Sequence, residues 1–272
     1  MPADALALTL AAAVLHAGWN VFLRGSDDVE ARFAVVLGAS LVLFAPVAAA
    51  TWSMSWAVAP YVAVSAVFEG LYFGLLVAAY ARRELSVVYP VARGSAPLLV
   101  LVGTAVVLGR HVSVAAAAGV CLVAVGVLLV RGFTRGDEGV LVALAIGCAI
   151  AGYTLVDKEG LHHAAALPYL ELVLAPVGLV AVPVVAMRRG VRAIRAELTA
   201  PTVSASVAAF GAYALVLAAL RVAPAPEVAA VRESSIVIAA LLAAVFLRER
   251  VSLKRLSGAV VVAGGVALIA LG

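Results

Sequence analysis

Ten apolar runs follow one another along this chain, separated only by short polar clusters. As a helix, a run of about 20 residues spans a bilayer core of roughly 30 Å, and within hydrocarbon only helices and closed barrels satisfy their own backbone. With 65% hydrophobic and 12% charged residues, against roughly a quarter charged in soluble domains, the spacing leaves no room for a water-soluble domain. The expected spans are Asp4 to Phe22, Arg32 to Thr51, Trp56 to Tyr80, Ser86 to Gly109, Val112 to Val130, Glu138 to Val156, Ala165 to Met187, Thr199 to Arg221, Pro226 to Leu247 and Leu253 to Leu271. The first run carries Asp4 and no basic start, so it reads as a mature helix and not as a signal peptide.

The stretch from Ser86 to Val130 returns as Ala225 to Ile269, matching at thirteen of forty-five positions at an offset of 139. Arg93 falls on Arg232, Ser95 on Ser234, Ser113 on Ser252, Gly119 on Gly258 and Gly126 on Gly265. Earlier, Ala17-Gly18-Trp19-Asn20 resembles Ala151-Gly152-Tyr153-Thr154. The chain thus reads as an all-α integral membrane protein of about ten transmembrane helices in one membrane domain, residues 1–133 forming one five-helix copy and 134–272 the other. An odd helix count inverts the second copy, the architecture of many secondary transporters. Small residues at helix-packing spacing, in Gly70-x-x-x-Gly74, Ala115-x-x-x-Gly119 and Gly147-x-x-x-Ala151, predict close backbone contacts.

Loops after odd-numbered spans hold fourteen Lys and Arg residues, among them Arg24, Arg32, Arg82, Arg131, Arg188 and Arg248, while even-numbered loops hold only Arg110, Lys158 and Arg221. The positive-inside rule then places both termini outside a multi-pass cell-membrane protein. The same loop positions account for the net charge of +4 without nucleic acid. Cys121 and Cys148 sit in apolar runs and suggest no disulfide, and no metal or cofactor is expected. His-Glu-x-x-His, Gly-x-Ser-x-Gly and phosphate-loop patterns are absent from the sequence, so no enzyme is expected. Membrane lipid and a small molecule are the expected partners, with protons as a candidate coupling ion and a monomer or homodimer as the working state.

Charge at membrane depth marks the candidate site. Arg93 lies about 11 Å inside its helix, between Pro90 and Pro97, whose missing donors predict bent backbone around a fixed cation suited to a carboxylate or phosphate. Glu69 on the third span is offset in depth by about 7 Å, so a Glu69 and Arg93 pair is expected. In the second copy Ala208 replaces Glu69, while Glu233 follows Arg232 directly. His16 and Asn20 share a face of the first span beside Trp19, and Tyr72, Tyr153 and Tyr213 are candidate pocket-lining aromatics. Glu171 reads as interfacial.

The two segments Leu108-Gly109-Arg110-His111-Val112-Ser113 and Leu247-Arg248-Glu249-Arg250-Val251-Ser252, each leading into a glycine-rich helix, resemble the EamA-type branch of the drug/metabolite transporter superfamily. Its pattern there is Leu-Gly-Glu-x-hydrophobic-Ser/Thr; the first copy keeps the glycine and loses the acid, and the second does the reverse. His16-Ala17-Gly18-Trp19-Asn20 is similar to the first helix of many members. The resemblance implies two inverted halves around a central cavity working by alternating access, in a family whose members move amino acids and related metabolites, often outward, as well as drugs, nucleotide sugars and lipid-linked sugars.

The expected function is a secondary transporter exporting a small polar metabolite, an amino acid or organic anion or zwitterion. Arg93 and Arg232 are the expected anchors, with Glu69 or His16 as proton-linked groups. The alternatives are a multidrug exporter for organic cations, with Glu69 and Glu233 carrying the chemistry, and a lipid-linked translocase partner or scaffold whose charges only brace the bundle.

Overall fold

The computed structural model describes residues 1–23, 28–81, 85–131, 137–246 and 252–272. These are helical with short connections: α1 (Ala3–Leu23), α2 (Val29–Ala50), α3 (Ala59–Ala81), α4 (Leu85–Val102), α5 (Val114–Arg131), α6 (Asp137–Gly160), α7 (Ala166–Arg189), α8 (Val191–Glu197), α9 (Ala200–Val222), α10 (Ala225–Arg232), α11 (Ser234–Phe246) and α12 (Leu253–Leu271). Among the described residues, six stretches are long and apolar enough to cross a membrane, on α2, α3, α6, α7, α9 and α12. Shorter apolar stretches lie on α1, on α5 and from α4 into the turn that follows it.

Local chemistry sets several helix starts. Asp28 accepts from the Ala31 amide at 3.0 Å to open α2, and Thr199 with Pro201 opens α9. The serine shared by the two matched stretches opens a helix in each: Ser113 accepts from the Ala116 amide at 3.1 Å and Ser252 from the Arg255 amide at 3.3 Å.

The α5 and α12 seam rests on glycine. A methyl group on Gly119 would stand 2.9 Å from the Gly265 carbonyl oxygen, and one on Gly265 would stand 2.7 Å from that of Gly119. Gly126 and Gly258 are related in the same reciprocal way, at 2.9 and 2.8 Å. Under the 139-residue sequence offset Gly119 matches Gly258 and Gly126 matches Gly265, so each α5 glycine meets the sequence counterpart of the other. Gly147 packs on Ser95 of α4, as expected. Gly70 and Gly74 do not pack this way, for nothing stands within 4 Å of either; spacing alone does not say which way a glycine ridge faces.

The backbone departs from expectation at three places. Pro90 and Pro97 do not break α4, which is helical through both and ends in a π turn at Gly103–Val107. The break falls instead in the other copy, where the expected ninth span divides into α10 and α11 at Glu233. There the ladder tightens, with the Glu233 amide donating to Ala230 and the Ile236 amide to Glu233, both at 3.0 Å. Third, α6 continues four residues past its expected end at Val156, which carries Asp157 into the helix.

One side of the bundle is stitched together by loops. Met54 and Ala164 form an antiparallel bridge, flanked by bonds of 2.8 Å from the Ser55 amide to the His163 carbonyl and from the Ala165 amide to that of Ser53. His163 stacks on Tyr61, and Arg110 pairs with Glu159 at 2.9 Å. The Lys158 ammonium donates to the Leu220 and Ala223 carbonyls, closing the end of α9. At the opposite side Arg189 holds Glu30 at 3.0 Å and Arg32 holds Glu197 at 2.6 Å.

Candidate functional site

A cavity of about 120 Å³ lies inside the bundle. Its wall includes His16 and Trp19 from α1, Ser40 from α2, Glu69 and Tyr72 from α3, Arg93 from α4, Tyr153 from α6, Tyr213 from α9 and Arg232 from α10. Of the residues expected from sequence, eight thus meet around one space. Asn20 lies on α1, but its side chain is outside the described residues. Glu233 is fully buried and stands apart from the lining.

The two arginines differ in their company. Arg93 is 5% exposed, and its Nε lies 2.8 Å from Glu233 Oε2. Its Nη2 donates to the Ser235 hydroxyl at 3.2 Å. The expected Glu69 and Arg93 pair does not form; the carboxylate comes from Glu233 at the end of α10. The turn between α10 and α11 is what allows this, because it turns Glu233 and Ser235 toward α4 while Arg232 faces the cavity.

Arg232 is 8% exposed and borders the Tyr153 hydroxyl. Among the described residues, no carboxylate stands at ion-pairing distance from it, and its Nε has no hydrogen-bond partner. An always-protonated guanidinium held this way, in low dielectric and open to a cavity, attracts an anion through a planar two-donor fork.

Across the cavity Glu69, 3% exposed, neighbours the Tyr213 hydroxyl and forms no ion pair among the described residues. Tyr213 donates to Asp157 Oδ2 at 2.8 Å. Asp157 is buried, and its Oδ1 also accepts from Ser65 at 2.5 Å and from Tyr169 at 2.9 Å. One carboxyl therefore ties α6 to α3, α7 and α9. Sequence reading missed Asp157 because the hydropathy edge put it in a loop. Its position four residues after Tyr153, on the same helix face, was the available signal.

Rings line the remaining wall. Trp19 donates to His16 Nδ1 at 3.2 Å and meets Phe33 edge-on. Phe33 meets Phe73, Tyr72 meets Tyr153, and Tyr153 lies 5.8 Å from Tyr213. This arc gives a ligand apolar contact between the charged ends.

The model of the EamA-like transporter family matches residues 137–271, which include Asp157, Tyr213, Arg232 and Glu233. A crystal structure of another protein aligns with 100% of this chain and 98% of its own at a TM-score of 0.74 and 17% identity, which establishes a shared fold and nothing about its ligand. No curated protein matches the chain.

Proposed function

This chain belongs to the EamA-like transporter family of the drug/metabolite transporter superfamily, and from that premise we propose that it carries a small zwitterion of the amino-acid class, holding the carboxylate at Arg232 and the ammonium at Glu69. The family makes it a multi-pass membrane transporter. The observation that carries the substrate reading is the Arg232 guanidinium, buried, cavity-lining and without a carboxylate partner among the described residues. Arg93 is already neutralised by Glu233, so its role in this reading is to shape the wall and hold the two copies together.

Alternating access and export complete the proposal. The cavity draws on the C-terminal part of α1 and the N-terminal part of α2, next to the loops that the charge bias assigns to the cytoplasm. On this reading the loop bridge at Met54 and Ala164 is the closure of the other side. A substrate loaded from the basic-loop side and released after that seal opens would be exported from the cell.

The test is purified protein in liposomes, offered amino acids, organic anions and lipophilic cations with and without a pH gradient. Uptake of an amino acid or zwitterion that is lost in Arg232→Gln is the expected result. Uptake of no amino acid or anion, or full transport by Arg232→Gln, overturns it. Preference for lipophilic cations, lost in Glu69→Gln, would instead establish the organic-cation reading, which the aromatic arc favours.

A further inference from the structure

We propose that Glu69 and Asp157 share one exchangeable proton through the Tyr213 hydroxyl, and that seating the substrate moves this proton onto Asp157. The proposal deepens the transport reading and rests on it for the substrate ammonium; the proton itself follows from the arrangement of the groups.

The first argument is a charge count. Around the cavity the buried ionisable groups among the described residues are Arg93 and Arg232 against Glu69, Asp157 and Glu233. His16 accepts from Trp19 at Nδ1, as a neutral imidazole does. Lys158 is directed to the carbonyls at the end of α9, and Glu159 is paired with Arg110. With every acid ionised the interior carries one uncompensated negative charge, which low dielectric penalises heavily. Glu233 is held at Arg93, so the balancing proton belongs to Glu69 or Asp157.

The second argument is connectivity. The groups facing Asp157 are Ser65 and Glu69 on α3, Tyr169 on α7, Tyr213 on α9 and, farther off, Arg232 on α10. Tyr213 stands between the two carboxyls, donating to Asp157 and bordering Glu69. On this proposal the proton rests on Glu69, which shares the cavity wall with Tyr213, and the Glu69 O–H is the donor to the Tyr213 oxygen. Transfer breaks the Glu69 O–H bond and forms a new one on Tyr213, while the original Tyr213 O–H bond breaks and one forms on Asp157 Oδ2. Atoms and charge balance without a water or a third base.

A substrate ammonium needs Glu69 ionised, so it drives this transfer. Asp157 then becomes neutral, and the bonds it accepts from Ser65 and Tyr169 lose their charge assistance, about half their strength. Those bonds tie α3 and α7 to α6 just inside the stitched loops. Loading the substrate therefore loosens the sealed side.

The test is infrared difference spectroscopy of the full chain in lipid at neutral pH without substrate, reading the carbonyl stretch of buried carboxylic acid and its shift in heavy water. In a Glu171→Gln background, which removes the buried carboxyl oxygen without a hydrogen-bond partner on α7, the chain should show one such acid, which disappears on adding either Asp157→Asn or Glu69→Gln, because either variant leaves two acids against two guanidiniums. Arg232→Gln should add a second acid, a gain that a misfolded sample does not produce. Tyr213→Phe should keep the band and move it. A Glu171→Gln chain without the band, a band surviving both acid variants, loss in one of them only, or an unmoved band in Tyr213→Phe overturns the proposal. Because no substrate is present, failed transport beside the expected bands sinks only the substrate assignment.

Discussion

Arg93 Nε on α4 lies 2.8 Å from Glu233 Oε2 at the turn between α10 and α11. Removing one partner of a buried pair leaves the other charge in low dielectric, at about 3–5 kcal/mol. Glu233→Leu or Arg93→Met alone should therefore lower the Tm of the purified protein markedly, while the two together should recover most of the loss. Additive losses in that double-mutant cycle would show that the pair is not coupled.

Arg232 should behave in the opposite way. Arg232→Gln removes a buried cation without a carboxylate partner among the described residues, so its Tm should hold or rise. Losing a charge-assisted contact of about 1.5–3 kcal/mol should weaken zwitterion transport about 10- to 150-fold. A drop in Tm with unchanged transport per folded molecule would assign Arg232 to bracing the bundle.

The glycine seam separates close approach from composition. Gly258→Ala would set a methyl group 2.6 Å from the Val130 amide nitrogen and should cost about 1–3 kcal/mol. Gly264→Ala, with nothing within 4 Å, should change stability by no more than about 0.5 kcal/mol. Thermal unfolding in detergent reads both, and equal effects would refute the seam.

The bridge between Met54 and Ala164 is an antiparallel pair flanked by its hydrogen bonds, for which Cα atoms stand about 4.5 Å apart, within disulfide range. Met54→Cys with Ala164→Cys, with Cys121 and Cys148 changed to Ala, should cross-link under mild oxidation. Transport should stop and return with reductant. Full transport by the cross-linked protein would mean that this side does not open.

How far the sequence could be read depended on contrast. Arg93, Arg232, Glu69 and His16 stand out because charge is rare in apolar helices, and Tyr72, Tyr153 and Tyr213 only as candidate pocket-lining aromatics; all meet at the cavity. The partner of Arg93 was hidden because its pairing depends on how distant helices dock and on where the expected ninth span breaks. Asp157 was hidden by a hydropathy edge that water-facing and hydroxyl-satisfied acids produce alike. Gly70 and Gly74 misled for a related reason, since small-residue spacing records that contact is possible without naming the neighbour. The expected acid at Glu249 lies outside the described residues.

The contact of α5 with α12 has a mechanical consequence. Where carbonyl meets glycine there is no side chain to rotate or repack, so the distance between these helices cannot change by small adjustment: it is kept or lost. Under the alternating access proposed above, this seam would be the fixed frame, and the surfaces that shift would be those cushioned by side chains, such as the stacked rings of Phe44 and Phe210 between α2 and α9.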